Sequence, residues 1–173
     1  MKRFSSLLFV TLGVCAAACG SSSSTSPSTP ANPTFVATLS PANEVPPIAG
    51  AEASGSGTST ITMVTTKDSS GNVTAATATF VVNLSGFPPN TPINISHIHQ
   101  AAAGVNGAVV VNSGITAGQV VLTNGSGSFS APNLTVDPAL ANQILNNPAG
   151  FYFNVHSTQN PGGVARGQLV RTQ

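Results

Sequence analysis

Thr79-Phe80-Val81-Val82-Asn83-Leu84 places Phe80, Val82 and Leu84 on one side of an extended chain and Thr79, Val81 and Asn83 on the other. Successive side chains of a strand point to opposite faces, so this alternation describes a strand with one face in a core and one towards solvent. Before it, Ser69-Ser70-Gly71-Asn72 is a turn signal and Thr60-Ile61-Thr62-Met63-Val64-Thr65 is a second β-prone run, which together predict a hairpin. Further back, Phe35-Val36-Ala37-Thr38-Leu39 reads as a short strand ended by Ser40-Pro41. Glu44-Val45-Pro46-Pro47 is a loop or sheet edge, because two prolines forbid regular ladder pairing.

Forward of the hairpin, Gly86-Phe87-Pro88-Pro89-Asn90 breaks the chain, and Ile95-Ser96-His97-Ile98-His99 and Ala108-Val109-Val110-Val111 resume it as strands. Residues 119–122 and 127–129 flank Asn124-Gly125, a strong hairpin dipeptide, and predict a further strand pair. One stretch reads as helix. Asp137-Pro138 supplies an N-cap and a proline at the first helical position, and Leu140, Ile144 and Leu145 recur at helical spacing until Asn147-Pro148. The last strands are 151–157 and 164–170, joined through Pro161-Gly162-Gly163. About seven to nine short strands with one short helix make the chain all-β, an antiparallel sandwich or barrel.

Charge is scarce: 5 Lys+Arg and 4 Asp+Glu in 173 residues. With no basic patch, nucleic-acid binding by counterion release is excluded. Lys2 and Arg3 precede an apolar run over residues 4–18, shorter than the roughly 20 residues that span a bilayer comfortably. Ala16-Ala17-Ala18-Cys19-Gly20 follows and resembles the lipobox of bacterial lipoprotein precursors; Cys15, after the bulkier Val14, is the weaker candidate. The resemblance implies a signal peptide at 1–18, lipidation of Cys19, and a lipid-anchored exported protein. Gly20 after the cysteine implies outer-membrane or cell-surface placement in a Gram-negative host. The Ser/Pro-rich segment to residue 33 cannot bury a core and reads as a disordered tether, so residues 34–173 form the expected domain. From Cys19 onward, Lys67, Arg166 and Arg171 face Glu44, Glu52, Asp68 and Asp137, a formal charge of −1. No second cysteine is left to form a disulfide within that mature chain, so its stability must come from a core.

Two of the three histidines, His97 and His99, sit one residue apart on a predicted strand and therefore point to one side, roughly 6–7 Å apart. The third, His156, lies in Phe151-Tyr152-Phe153-Asn154-Val155-His156. Three imidazoles suit copper or zinc. Glu44 is the candidate fourth ligand or supporting carboxylate, and Asn154, on the same face as His156, is a candidate to fix an imidazole tautomer. Parity opposes a shared site: without a bulge His97 and His99 share the face of Ile93 and Ile95, whereas His156 lies opposite Phe151, Phe153 and Val155. Either a bulge intervenes, or one apolar face is not the common core. The other reading of the histidines is a neutral, hydrogen-bonded structural network. Arg166, after a Gly-Gly turn, is expected to pair with Glu44 or to hold a ligand carboxylate. Gly167 inside a strand points to a bulge or a close backbone approach.

Glu44-Val45-Pro46-Pro47, His97-Ile98-His99, Asn154-Val155-His156 and Gly162-Gly163-Val164-Ala165-Arg166-Gly167-Gln168-Leu169 together resemble the signature blocks of the CHRD domain, in the same order. Val164-Ala165 depart from that pattern, standing where acidic residues are common. The resemblance implies an immunoglobulin-like sandwich or barrel. In animal chordins the domain accompanies modules that bind secreted growth factors; for exported bacterial members it implies no settled activity. A fainter similarity is to the Cu/Zn superoxide dismutase, which also carries His-x-His on a β-strand, but the further metal-ligand histidines and disulfide cysteines of that enzyme are absent from this sequence. No Ser-His-Asp set, phosphate loop or acidic pair stands out, so no enzyme is expected. The expected function is a membrane-anchored extracytoplasmic binding or adhesion module with an extracellular protein or matrix partner. The alternative is a copper- or zinc-binding lipoprotein using His97, His99 and His156.

Overall fold

The computed structural model describes residues 31–173. The expected signal peptide, the lipidated Cys19 and most of the tether lie outside the described residues. Ten strands form two antiparallel sheets. The first orders β10 (Val170–Arg171), β1 (Thr34–Leu39), β2 (Ser56–Lys67), β3 (Val73–Ser85) and β7 (Gly127–Val136). The second orders β5 (Ala108–Asn112), β4 (Thr91–Gln100), β8 (Phe151–Ser157) and β9 (Ala165–Gln168), with β6 (Val120–Leu122) pairing the start of β4. The result is a β-sandwich and not a closed barrel.

The core lies between the sheets. Phe35, Ala37 and Leu39 of β1, Ile61 and Met63 of β2 and Phe80, Val82 and Leu84 of β3 meet Ile93 and Ile98 of β4 and Phe151, Phe153 and Val155 of β8. Phe80 and Phe153 meet edge to face across the layers, ring centroids 5.2 Å apart, a geometry that adds to the burial of both rings. The helix α1 (Pro138–Asn146) forms where its sequence signals place it, Asp137 Oδ1 accepting from the amides of Ala139 and Leu140, and it buries Ala141 and Ile144.

Two connections differ from expectation. Asn124 and Gly125 do make a tight turn, with φ of 55° and 77°, but β6 pairs β4 while β7 pairs β3. The turn passes the chain from one sheet to the other, held by the Phe87 amide donating to the Gly125 carbonyl at 3.1 Å. Turn chemistry bends the chain without dictating the partner of each arm. The expected strand over 164–170 is likewise split at the buried Leu169, β9 staying in the second sheet and β10 joining the first.

A bulge in β4 positions the site. Against β8, Ile93 pairs Ser157 and Ile95 pairs His156, so Asn94 is an extra residue and side-chain parity inverts across it. Ile93 is therefore in the core, whereas Ile95, His97 and His99 face outward, alongside His156, Asn154 and Tyr152 of β8. Of the two resolutions the sequence left open, the bulge is the one the fold uses.

Candidate metal centre

In antiparallel pairing, residues directly opposite each other project to one face. Asn112, His97, Asn154 and Arg166 form one such row across β5, β4, β8 and β9, with His99, Tyr152 and Gln168 in the row beside it. This outer face is nonetheless dry: His97, His99, Asn154, His156 and Arg166 are all buried. Three segments roof it: residues 40–50, 101–107 and 157–164. The Val45–Pro46 peptide in the first of them is cis.

Beneath the roof the three imidazoles converge. One ring nitrogen from each of His97, His99 and His156 lies within 4.8 Å of the others. His97 Nδ1 and His156 Nε2 are 3.2 Å apart. The far side of two rings is anchored on backbone: His156 Nδ1 on the Pro161 carbonyl at 2.9 Å and His99 Nδ1 on the Gly107 carbonyl at 3.0 Å. A carbonyl oxygen only accepts, so in the neutral rings both Nδ1 atoms carry the proton and both Nε2 atoms present lone pairs inward. His97 Nδ1 then donates to His156 Nε2. His99 Nε2 is buried with no hydrogen-bond partner among the described residues. An unmatched buried acceptor costs about 1–3 kcal/mol, and this lone pair shares that condition with Glu44 Oε1 and Asn154 Oδ1.

Electrostatics keep the rings neutral. Burial first, then the neighbouring histidines His156 and His99, push His97 down to about 4. Burial also lowers His99 and His156, opposed by their carbonyl bonds and reinforced by Arg166 at His99 and by His99 at His156. Deprotonated imidazole is the metal-binding form. Zinc binds imidazole nitrogen at about 2.0–2.1 Å, so two ligands of one ion sit about 3.3–3.6 Å apart in tetrahedral or trigonal arrangement. The 3.2 Å pair already fits, and closing the widest separation takes a shift of about 1 Å within the rotamer freedom of a side chain. The residues present thus fit a three-imidazole site, with carbonyl groups behind two ligands fixing their tautomers.

Glu44 is not part of the converging group. Its carboxylate lies 3.8 Å from Arg166 Nε, and that nitrogen donates instead to the Asn43 carbonyl at 2.6 Å. Burial pushes Glu44 up to about 7, with Arg166 and the Asn154 amide pulling it back. Asn154 does not hold an imidazole: its Oδ1 is unmatched and its amide stands beside Glu44, so tautomer fixing passes to backbone carbonyls. Arg166 lashes the roof to the sheet, with Nη1 donating to Asn106 Oδ1 at 2.8 Å and the guanidinium 4.7 Å over the Tyr152 ring. Tyr152 in turn stacks on His99 at 4.8 Å, and its hydroxyl accepts from the Gly107 amide. The same residue, Gly107, is therefore gripped by Tyr152 on its N–H and by His99 on its C=O. A cavity of about 580 Å³ opens beside Glu44 and Arg166, but no histidine lines it, so it is a separate feature.

Gly167 shows the expected close approach: a Cβ there would collide with the Thr38 carbonyl. Sequence reading passed over Tyr152, Asn106, Gly107, Pro161 and Glu52. Glu52 had a signal, being one of only 4 acidic residues in the chain. The backbone carbonyl acceptors of Gly107 and Pro161 had none, since any residue supplies one.

The family model of the CHRD domain matches residues 35–169. No curated protein and no solved structure matches the chain.

Proposed function

The chain belongs to the CHRD domain family, and from that premise we propose that it is a binding module whose bound species is a copper or zinc ion held by His97, His99 and His156. One observation carries the reading: three neutral imidazoles each bring a ring nitrogen to a common point, and one of these, the lone-pair nitrogen His99 Nε2, has no hydrogen-bond partner among the described residues. In this reading His99 and His156 bind through Nε2 and His97 through Nδ1, its proton moving to Nε2. Such an ion would polarise or exchange a fourth ligand; the chain's own residues hold the rings neutral, orient them and exclude bulk water. No catalytic residue is assigned, and the protein acts as a binder, not an enzyme.

The lipobox-like Ala16-Ala17-Ala18-Cys19 supports export and anchoring through a lipid on Cys19, which puts the module outside the cytoplasm, on a membrane surface. Among the described residues no helix is long and apolar enough to cross a membrane. Mass analysis of the mature protein tests the anchor; a first residue other than an acylated Cys19 contradicts it.

Metal binding is tested by elemental analysis of protein purified without a tag, paired with His99→Ala. One copper or zinc per chain in the native protein, lost in the variant while the fold persists, is the expected result. No bound metal, and no uptake on titration, returns the histidines to a structural network within an adhesion-type module with an extracellular protein or matrix partner.

A further inference from the structure

Glu52 is 2 % exposed, lies on a short 3-10 turn at Ala51–Ser54, and has no cationic partner among the described residues. Its Oε2 instead accepts two hydrogen bonds from one distant loop: from Ser157 Oγ at 2.6 Å and from Asn160 Nδ2. Ser157 Oγ also accepts from the Asn160 amide at 2.9 Å, and the Asn160 carbonyl accepts from the Gly163 amide at 3.1 Å. The loop between β8 and β9 is therefore closed on itself and tied to a segment more than a hundred residues away in sequence. That loop carries the Pro161 carbonyl, which is the partner of His156 Nδ1 at 2.9 Å.

A buried carboxylate loses its hydration and normally needs a cation or a metal to offset the loss. Glu52 has neither. Charge-assisted bonds from neutral donors are the compensation here, and they are roughly twice as strong as neutral ones. Their strength is concentrated on two residues that precede and shape the Pro161 turn. An apolar side chain would pack the same space without holding the loop, so the acceptor oxygen placed here calls for a reason in what the loop does.

We propose that Glu52 is a positioning residue for the metal centre: through Ser157 and Asn160 it fixes the Pro161 carbonyl, and through that carbonyl the tautomer and aim of His156. The inference rests on the metal-binding reading for its purpose, though its geometric step is separable. His156 is the ligand most exposed to such control, because its strand ends at Ser157, the residue Glu52 holds. His99 is oriented independently, through Gly107 and Tyr152.

The test uses the full chain with Glu52→Ala, Glu52→Gln and Ser157→Ala. Nitrogen-15 NMR of the His156 ring reads the tautomer without metal, and titration with Cu(II) or Zn(II) alone reads affinity. Wild type should show a single tautomer protonated at Nδ1. Glu52→Ala should show a mixture, with affinity down about 10-fold, the range for residues that orient ligands from behind. Glu52→Gln, which keeps an acceptor oxygen, should recover most of both, and Ser157→Ala should fall between; Ser157→Ala also serves if Glu52→Ala does not fold. Met63→Ala, a core change of comparable thermal cost, should leave tautomer and affinity unchanged. An unaltered His156 tautomer in Glu52→Ala, or in Ser157→Ala where Glu52→Ala does not fold, overturns the proposal, as does an equal affinity loss in Met63→Ala. If wild type takes up no metal while the tautomer still depends on Glu52, the positioning stands and the metal-binding reading fails.

Discussion

His97, His99 and His156 are held neutral by burial, and that choice has a pH signature. Their pKa values are lowered in the folded state, His97 to about 4, so below the ordinary histidine value of 6.5 the unfolded chain binds protons that the folded chain does not. Stability from this source is present above pH 6.5 and is lost as pH falls towards 4. Glu44 acts oppositely: raised from 4.5 to about 7, it favours the folded state below 4.5 and gives that advantage up as pH rises through 7. Three histidines against one carboxyl decide the balance between pH 4.5 and 6.5. The metal-free protein should melt progressively lower as pH drops from 6.5 to 5, and a triple histidine-to-glutamine variant, left with the opposing Glu44, should lose that slope or reverse it. An unchanged slope would count against buried neutral imidazoles.

Gly163 makes a second point at the residue scale. Its φ is 133°, and a Cβ there would meet Asn154 Nδ2 at 2.5 Å and both Glu44 carboxyl oxygens at 2.9 Å. Gly163→Ala should cost about 1–3 kcal/mol through strained backbone and displaced polar groups, read by denaturant unfolding. The sequence announced which residues are chemically unusual, since so few are charged or imidazole-bearing. It did not announce their partners. Asn154 looked like the group that fixes an imidazole, yet the carbonyls of Gly107 and Pro161 do so, and a backbone carbonyl leaves no trace in residue type.

At the scale of the element, the decisive object is the bulge at Asn94. Alternation within β4 and within β8 was legible separately, and the two contradicted each other. One inserted residue reconciles them by turning His97 and His99 to the side of His156 while Ile93 stays in the core. Deleting Asn94 should abolish metal uptake and lower the melting temperature, because every outward side chain beyond it must turn inward or the register must slip. Asn94→Ala, which loses only the bond from Thr158 Oγ1 at 3.1 Å, should stay within about 0.5 kcal/mol of wild type. Local signals served well where local forces dominate. The β2–β3 hairpin and the capped helix are of that kind, and Asp137→Ala should cost about 1 kcal/mol by freeing two amides. They failed where pairing is long-range: β6 and β7 leave the Asn124-Gly125 turn into different sheets.

For the whole molecule, the sandwich supplies a core between two sheets and leaves one outer face to be roofed by loops. All-β class, antiparallel pairing and the single helix followed from strand periodicity and turn residues. The roof did not, because loops with two prolines or runs of alanine and glycine carry no periodic signal. Yet the roof is what buries the histidines and keeps Glu44 and Arg166 out of water. Glu44, Asn154 and Arg166 are thereby explained as the polar frame between sheet and roof, while the histidines sit inside it. Ligand that binds only the folded state stabilises it by mass action, about 2.7 kcal/mol at a hundredfold excess over Kd. For a domain of this size that corresponds to a rise of roughly 5–10 °C in melting temperature, reversed by EDTA.

The most direct measurement of the central claim is anomalous diffraction at the copper and zinc edges from crystals of tag-free protein grown with each metal. The account predicts one peak about 2.0–2.1 Å from His99 Nε2, His156 Nε2 and His97 Nδ1, with Glu44 outside bonding distance and the Gly107 and Pro161 carbonyls still on the far ring nitrogens. A map with no peak among the three rings, and His97 Nδ1 still hydrogen-bonded to His156 Nε2, would contradict it.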